Sequence, residues 1–328
     1  MINKHIMEAY RILEGSGEGI TQELAFKIGQ DVKGEDILDL LSLANKVRNK
    51  FTNGIHICSI INAKSGICPE NCRFCAQSAH HNVEIESYDL MKPETILEQA
   101  NIAYKNGVNH FGIVTSGTGY QDVNDEFIQI LKTVDLIKER CDGMKICASI
   151  GILSDKTARL LAEKEIAHYN INLQTAPSKY AELIANTHTV DDKIKTVKLL
   201  QKYGIKVCCG GIIGVGETLE DDIEMAFAIK DLDVDGIPLN VLIPIAGTPL
   251  EREIPVPTAN IAKIFSLFRL INPSKTIKFA AGRETKMKDF QGLLMLAGAN
   301  GMLTGGYLTT RGRKTSDDIL FINELKNF

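Results

Sequence analysis

Three cysteines lie within eight residues, in the run Cys68-Pro69-Glu70-Asn71-Cys72-Arg73-Phe74-Cys75. Thiolates at C-x3-C-x2-C spacing suit an iron–sulfur cluster, and three of them leave one iron of a four-iron cluster without a protein ligand. Such an open corner can bind a small molecule and pass it an electron. Two other readings compete with this one. A structural zinc site needs four ligands, and His80 and His81 are close enough to supply the remainder. A ferredoxin-like electron carrier needs a fourth cysteine at short spacing, and none follows.

The elements that must position this loop follow a simple alternation. The first fifty residues read as helices, with Thr21-Gln22-Glu23-Leu24 opening one and Gly34-Glu35-Asp36 introducing ILDLLSLANKVRNKF. Short apolar runs then predict strands near 55–62, 110–115, 145–150, 168–173, 205–211, 237–243, 276–280 and 301–304. Amphipathic stretches lie between them, such as 93–107 and 190–204, the latter stopped by Gly204. Eight β-then-α units predict an α/β fold, a (β/α)8 TIM-type barrel with an N-terminal helical extension. The expected division is an N-terminal helical segment, 1–50, packed on a barrel of residues 51–328. Active sites of such barrels gather where the strands end, and the cysteine loop follows the first strand.

Composition narrows the function classes. With 328 residues, 44% hydrophobic, the chain can bury a sizeable core. A formal charge of −4 offers no footprint for nucleic acid or an anionic membrane. No apolar run approaches the roughly 20 residues of a membrane span, and MINKHIMEAYRILEG lacks a signal peptide's apolar core. Eight cysteines without such a leader predict metal or redox work in a reducing, cytoplasmic setting.

The cysteine loop resembles that of the radical S-adenosylmethionine superfamily at every cysteine. Phe74 stands where that superfamily places an aromatic against the adenine. Gly210-Gly211-Ile212-Ile213-Gly214-Val215-Gly216-Glu217 carries G-x-I-x-G-x-x-E, which backs the adenine there, and Thr115-Ser116-Gly117 ends the second strand where the methionine amino group is contacted. The resemblance implies that Cys68, Cys72 and Cys75 hold a [4Fe-4S] cluster whose open iron binds S-adenosylmethionine, and that one electron then yields a 5′-deoxyadenosyl radical.

Over nearly its whole length the chain is similar to the biotin synthase family. The stretches that carry the likeness are AKSGICPENCRFCAQS, HYNINLQTAP, GIKVCCGGIIGVGETLED, PLNVLIPIAGTPL, and AAGRE followed by LAGANGMLTGGYLTT. The likeness implies sulfur insertion into dethiobiotin, with a second, auxiliary iron–sulfur cluster as sulfur donor. It also implies an electron donor such as flavodoxin or ferredoxin, iron–sulfur assembly machinery as a partner, and a homodimer. Asn240 matches the family's ureido-binding asparagine, and Asn172 a residue touching both the ribose and the substrate. Gln174 replaces an aspartate and Ile171 a histidine in the ribose-binding stretch. Arg283 follows the seventh strand, to contact an anionic group or to pair with an acid such as Glu284.

The auxiliary ligands depart from the family pattern. Cys147 and Cys208 are kept, but Gly112 stands at a cysteine position and Lys278 at the arginine position. Cys58, where the family carries a serine, compensates. Alternate strands of a barrel supply one interior layer, and Cys58, Cys147, Cys208 and Lys278 fall on predicted strands one, three, five and seven. The favoured arrangement is a four-iron cluster on Cys58, Cys147 and Cys208, whose open corner carries an extra sulfide, with Lys278 offsetting its charge. A [2Fe-2S] cluster that uses Lys278 as fourth ligand is the alternative. Cys209 points the other way on its strand and belongs to the core, and Cys141 is an incidental thiol at a helix end. An isomerase, lyase or maturase on the same barrel, without sulfur insertion, is the competing enzyme class. An iron–sulfur carrier has no use for the nucleoside pocket.

Overall fold

The computed structural model describes residues 2–309 and 312–325. The last residue of LAGANGMLTGGYLTT, 310, and residues 326–328 of the expected barrel lie outside them.

Eight parallel strands close into a barrel: β1 (His56–Lys64), β2 (His110–Thr115), β3 (Lys145–Ser149), β4 (His168–Asn170), β5 (Lys206–Cys208), β6 (Gly236–Val241), β7 (Thr276–Phe279) and β8 (Gly301–Leu303). Closure is made by β8, which pairs with β7 through Lys278 and Gly301 and with β1 through Cys58 and Leu303. Each predicted strand is present, within a few residues of its expected ends. β5 is interrupted at Cys209 and Gly210 and resumes as Gly211–Ile213, which pairs with β6. The break is occupied by β4's continuation: the Asn172 side chain accepts from Gly210 N at 3.1 Å, and Gln174 N donates to Gly210 O at 3.0 Å.

Helices wrap the outside because their apolar residues recur along one face. Among them are α4 (Pro93–Lys105) after β1, α5 (Asp125–Arg140) after β2, α6 (Asp155–Glu163) after β3, α7 (Val190–Lys202) after β4, α8 (Leu219–Asp231) after β5 and α9 (Thr258–Ile271) after β6. Three begin with reciprocal capping boxes, Ser154 with Thr157, Thr189 with Asp192 and Thr218 with Asp221. The stop predicted at Gly204 is met in the left-handed region, at φ +73°. Of the N-terminal helices, α2 (Gln22–Asp31) and α3 (Asp36–Phe51) pack against α8 and α9, and α1 (Lys4–Gly15) packs on α2 and α3. Arg269 of α9 is fully buried and satisfied by backbone carbonyls of residues 272, 273, 275 and 298 and by Asn300 Oδ1, which ties α9 to the start of β8. Among the described residues no helix is long and apolar enough to cross a membrane.

Candidate functional site

Alternation along the strands sorts the barrel interior into layers. Inward-facing Cys58 of β1, Cys147 of β3, Cys208 of β5 and Lys278 of β7 line one cavity of about 320 Å³. Lys278 Nζ stands 3.3 Å from Cys58 Sγ and 3.6 Å from Cys208 Sγ. The layer exists because its neighbours are small. A Cβ on Gly236 would lie 2.9 Å from Cys208 Sγ, and one on Gly301 2.7 Å from Lys278 Cγ. Gly112 sits between Cys58's strand and Cys147's, and a Cβ there would meet Ile60 Cγ2 at 3.0 Å. A side chain at Gly112 would therefore press on Ile60, and Cys58 supplies the third thiol of the layer.

Electrostatics couple the four groups. Burial pushes the Cys147 and Cys208 thiols up. Burial alone would lower Lys278, but the Cys208, Cys58 and Cys147 sulfurs outweigh it and hold the ammonium above its ordinary value. The arrangement is therefore three sulfurs converging on one interior space beside a retained cation.

Cys68, Cys72 and Cys75 lie at the mouth, in the loop between β1 and α4. Cys68 N donates to Gln77 O at 3.0 Å, Ala79 N to Cys68 O at 2.8 Å and Cys75 N to Cys72 O at 3.0 Å, so the loop folds back on itself. Burial pushes Cys72 up to about 12 and raises Cys75 as well, each further raised by the neighbouring cysteine sulfurs. Buried thiols that resist ionisation bind best when metal replaces the proton. The two nearby histidines each turn one ring nitrogen to a backbone carbonyl of this loop. His80 Nε2 lies 2.9 Å from Pro69 O, and His81 Nε2 lies 2.9 Å from Cys72 O. The Nε2 facing a carbonyl carries the ring's proton, which leaves Nδ1 with a lone pair. Among the described residues no three His, Cys, Asp or Glu side chains close on a single ion. The donor set is three thiols, and it fits a cluster with an open iron.

The loop is anchored by a residue that sequence reasoning passed over. Glu70 is buried, and its carboxylate accepts from the Thr118 and Thr187 hydroxyls and lies 2.8 Å from His188 Nδ1. His188 Nε2 in turn meets Tyr180 OH at 2.8 Å. These partners come from the segments after β2 and β4, so only the fold reveals the network.

The residues expected around S-adenosylmethionine divide into two groups. Phe74, Asn172, Gln174 and Ile212 line the cavity together with Asn240. Gln174 Oε1 is buried without a hydrogen-bond partner, which fits an incoming hydroxyl such as that of a ribose. Its backbone is left-handed, φ +77°, a cost sustained by pairing with Gly210 and Ile212. Asn240 already donates to Gly211 O and accepts from Ala281 N, each at 3.1 Å, leaving one N–H and one lone pair for a ligand. Thr115, Ser116, Gly117, Gly210, Gly214 and Glu217 stand behind the lining. Ser116 Oγ donates to Gly66 O at 2.8 Å, bracing the cysteine loop. The Glu217 carboxylate accepts from Gly214 N and Val215 N and shapes the glycine turn. Arg283 takes the pairing option. It is buried against Asp318 at 2.6 Å and Glu284 at 3.1 Å. Cys209 is buried in the core, and Cys141 caps α5, its thiol 3.2 Å from Asn101 Oδ1.

Known proteins share this chain's sequence and fold. Residues 63–229 match the model of the Radical SAM superfamily, and residues 238–326 match the Biotin and Thiamin Synthesis associated domain. The chain is 57% identical over 324 residues to a biotin synthase of Chlorobium phaeovibrioides, covering 98% of this chain and 97% of the relative. It is 52% identical over 331 residues to that of Chlorobium phaeobacteroides, covering 100% and 97%. Among solved structures, a methylornithine synthase superposes with a TM-score of 0.83 at 21% identity, over 97% of this chain and 96% of that one. An FeFe-hydrogenase maturase from Carboxydothermus hydrogenoformans superposes at 0.82 and 17% identity, over 98% and 78%. At those identities the solved structures speak for the fold alone.

Proposed function

The chain belongs to the biotin synthase family of the radical S-adenosylmethionine superfamily, and on that premise we propose how its residues share the work. The reaction is radical-mediated insertion of sulfur into dethiobiotin to form biotin. It needs a [4Fe-4S] cluster, S-adenosylmethionine, an auxiliary iron–sulfur cluster and a reductant.

Cys68, Cys72 and Cys75 hold the radical-generating cluster, which supplies the electron that starts the chemistry. Phe74 and Ile212 enclose the nucleoside, and Gln174 accepts from its ribose. Thr115, Ser116 and Gly117 brace the loop from behind, with Gly210, Gly214 and Glu217 shaping the opposite wall. Asn172 and Asn240 offer their remaining amide groups to the substrate's cyclic urea, which needs both a donor and an acceptor. The apolar lining excludes water from the reacting carbons.

Cys58, Cys147 and Cys208 hold the auxiliary cluster. The single observation that carries this reading is the layer in which the Lys278 ammonium sits at hydrogen-bond distance from two of the sulfurs. An ammonium that donates to sulfur has no lone pair to offer iron. Three thiolates and no fourth ligand favour a four-iron cluster with an open corner, the corner carrying the sulfide to be transferred. Lys278 offsets the charge and orients that sulfide. The protein works in the cytoplasm, with flavodoxin or ferredoxin as reductant and as a homodimer.

The test is anaerobically reconstituted protein given S-adenosylmethionine, reductant and dethiobiotin, with products read by mass. Biotin together with 5′-deoxyadenosine is the expected result. 5′-Deoxyadenosine without biotin would point instead to chemistry that needs no sulfur donor.

A further inference from the structure

The barrel has a second chamber, directly under the cysteine layer. One step down the strands, His110 of β2 and His168 of β4 face inward, and another step brings His56, Lys145 and Lys206. These residues and Lys278 enclose a polar cavity of about 190 Å³ that shares Cys58, Cys208, Lys278, His110 and His168 with the chamber above. The imidazoles pack against one another, with ring centres 6.5 Å apart for His56 and His110 and 5.4 Å for His110 and His168. His110 Nδ1 lies 2.7 Å from Asn109 Oδ1, so its proton is there and its Nε2 carries a bare lone pair. His168 Nδ1 is buried with no partner. Lys145 and Lys206 are exposed at the outer rim. Asp235 also lines the floor, and one of its carboxylate oxygens accepts from Val207 N.

This combination selects its ligand by chemistry. Three lysines facing one acid repel a divalent cation, and no three metal-binding side chains among the described residues converge on one ion. A fully deprotonated oxyanion would satisfy the lysines but oppose its lone pairs to the bare Nε2 of His110. A small anion that still carries a hydrogen satisfies both. Hydrosulfide is such an anion, and it is one that a sulfur-donating site can use.

We propose that the floor of the barrel is a binding site for hydrosulfide, which reaches the auxiliary site from the end opposite the substrate. The proposal rests on the auxiliary-cluster reading above. It explains why the chamber abuts Lys278, whose ammonium touches two of the sulfurs from β7. With nucleoside and dethiobiotin filling the upper chamber, the floor leaves the sulfur source a separate entrance. Lys145 and Lys206 attract the anion, His110 Nε2 accepts its S–H hydrogen bond, and Lys278 meets its sulfur.

The test replaces hydrosulfide with hydroselenide. Crystals of the anaerobically reconstituted full chain are soaked in sodium hydroselenide, and anomalous diffraction at the selenium edge locates the atom. The expected result is selenium between Lys278 Nζ and the histidines. Lys145→Met with Lys206→Met, both at exposed positions, should raise the hydroselenide needed for half-occupancy by about tenfold. His110→Phe, which removes one acceptor, should lower the occupancy further. A floor holding only water while selenium enters at the mouth would overturn the proposal, as would half-occupancy indifferent to the lysine pair. Iron counting on the same preparation keeps the two readings apart. Two clusters over a water-filled floor overturn this proposal alone, and selenium in the floor of a one-cluster protein overturns the auxiliary reading alone.

Discussion

Lys278 Nζ reaches Cys58 Sγ at 3.3 Å, although 220 residues separate them in sequence and β8 lies between their strands. The contact is possible because Gly301 of β8 has no side chain to block it. A cation held there offsets the negative charge of thiolates that are themselves withdrawn from water. Lys278→Met should therefore cut biotin formation at least tenfold while 5′-deoxyadenosine formation continues, and Lys278→Arg should retain part of the activity. Paired product measurements check this. Equal losses of both products would instead place Lys278 at the radical-generating end.

The exchange of Gly112 and Cys58 predicts a rescue that depends on Ile60. Gly112→Cys introduced into Cys58→Ala restores the family's ligand position, but the new Cβ meets Ile60 Cγ2 at 3.0 Å. Alone it should recover little auxiliary iron. Removing the obstruction with Ile60→Ala in the same chain should recover more, because Cγ2 is lost with the side chain and leaves room for the thiol. Iron and sulfide content of the three purified variants is the readout.

Gln174 is held at φ +77° and offers an unpartnered buried oxygen. Gln174→Gly should relieve about 1 kcal/mol of backbone strain while removing the acceptor. The expected outcome is a higher thermal midpoint with a KM for S-adenosylmethionine raised about tenfold. Gln174→Asp keeps an acceptor and should leave KM low. A KM unchanged in Gln174→Gly would remove the residue from the ribose site.

Asp222 of α8 is buried, its Oδ1 lacks a partner, and burial, followed by Glu217 and Asp221, raises its pKa well above the ordinary range. A carboxyl with a raised folded pKa favours the native state most when both states are protonated. Its contribution falls as pH climbs from the ordinary carboxylate range, about 4, towards the raised value. Asp222→Asn should stabilise the protein at neutral pH by roughly 1 to 2 kcal/mol and leave stability at pH 4 little changed. Denaturant titrations at the two pH values measure the difference.

The barrel was legible because β/α alternation is a local pattern, and Cys58, Cys147, Cys208 and Lys278 could be grouped because strand number and inward parity fix the layer. What escaped was set by contacts distant in sequence. Glu70 reads as an ordinary acid between two cysteines until Thr118, Thr187 and His188 close around it. The three floor histidines carry no motif, although His56 stands two residues before Cys58 and His110 two before Gly112, the parity that puts them in the same column. The left-handed turn at Gln174 is imposed by the interrupted β5 and leaves no trace in residue type.

The central claim is that Cys58, rather than a residue at the family's usual position, completes the second cluster. Mössbauer spectra and iron counts on anaerobically reconstituted wild type and Cys58→Ala test it most directly. The account predicts two cluster signals and roughly eight irons per chain in the wild type. In Cys58→Ala it predicts the radical-generating cluster alone, about four irons, with 5′-deoxyadenosine still formed and no biotin. An intact second cluster in Cys58→Ala would contradict it.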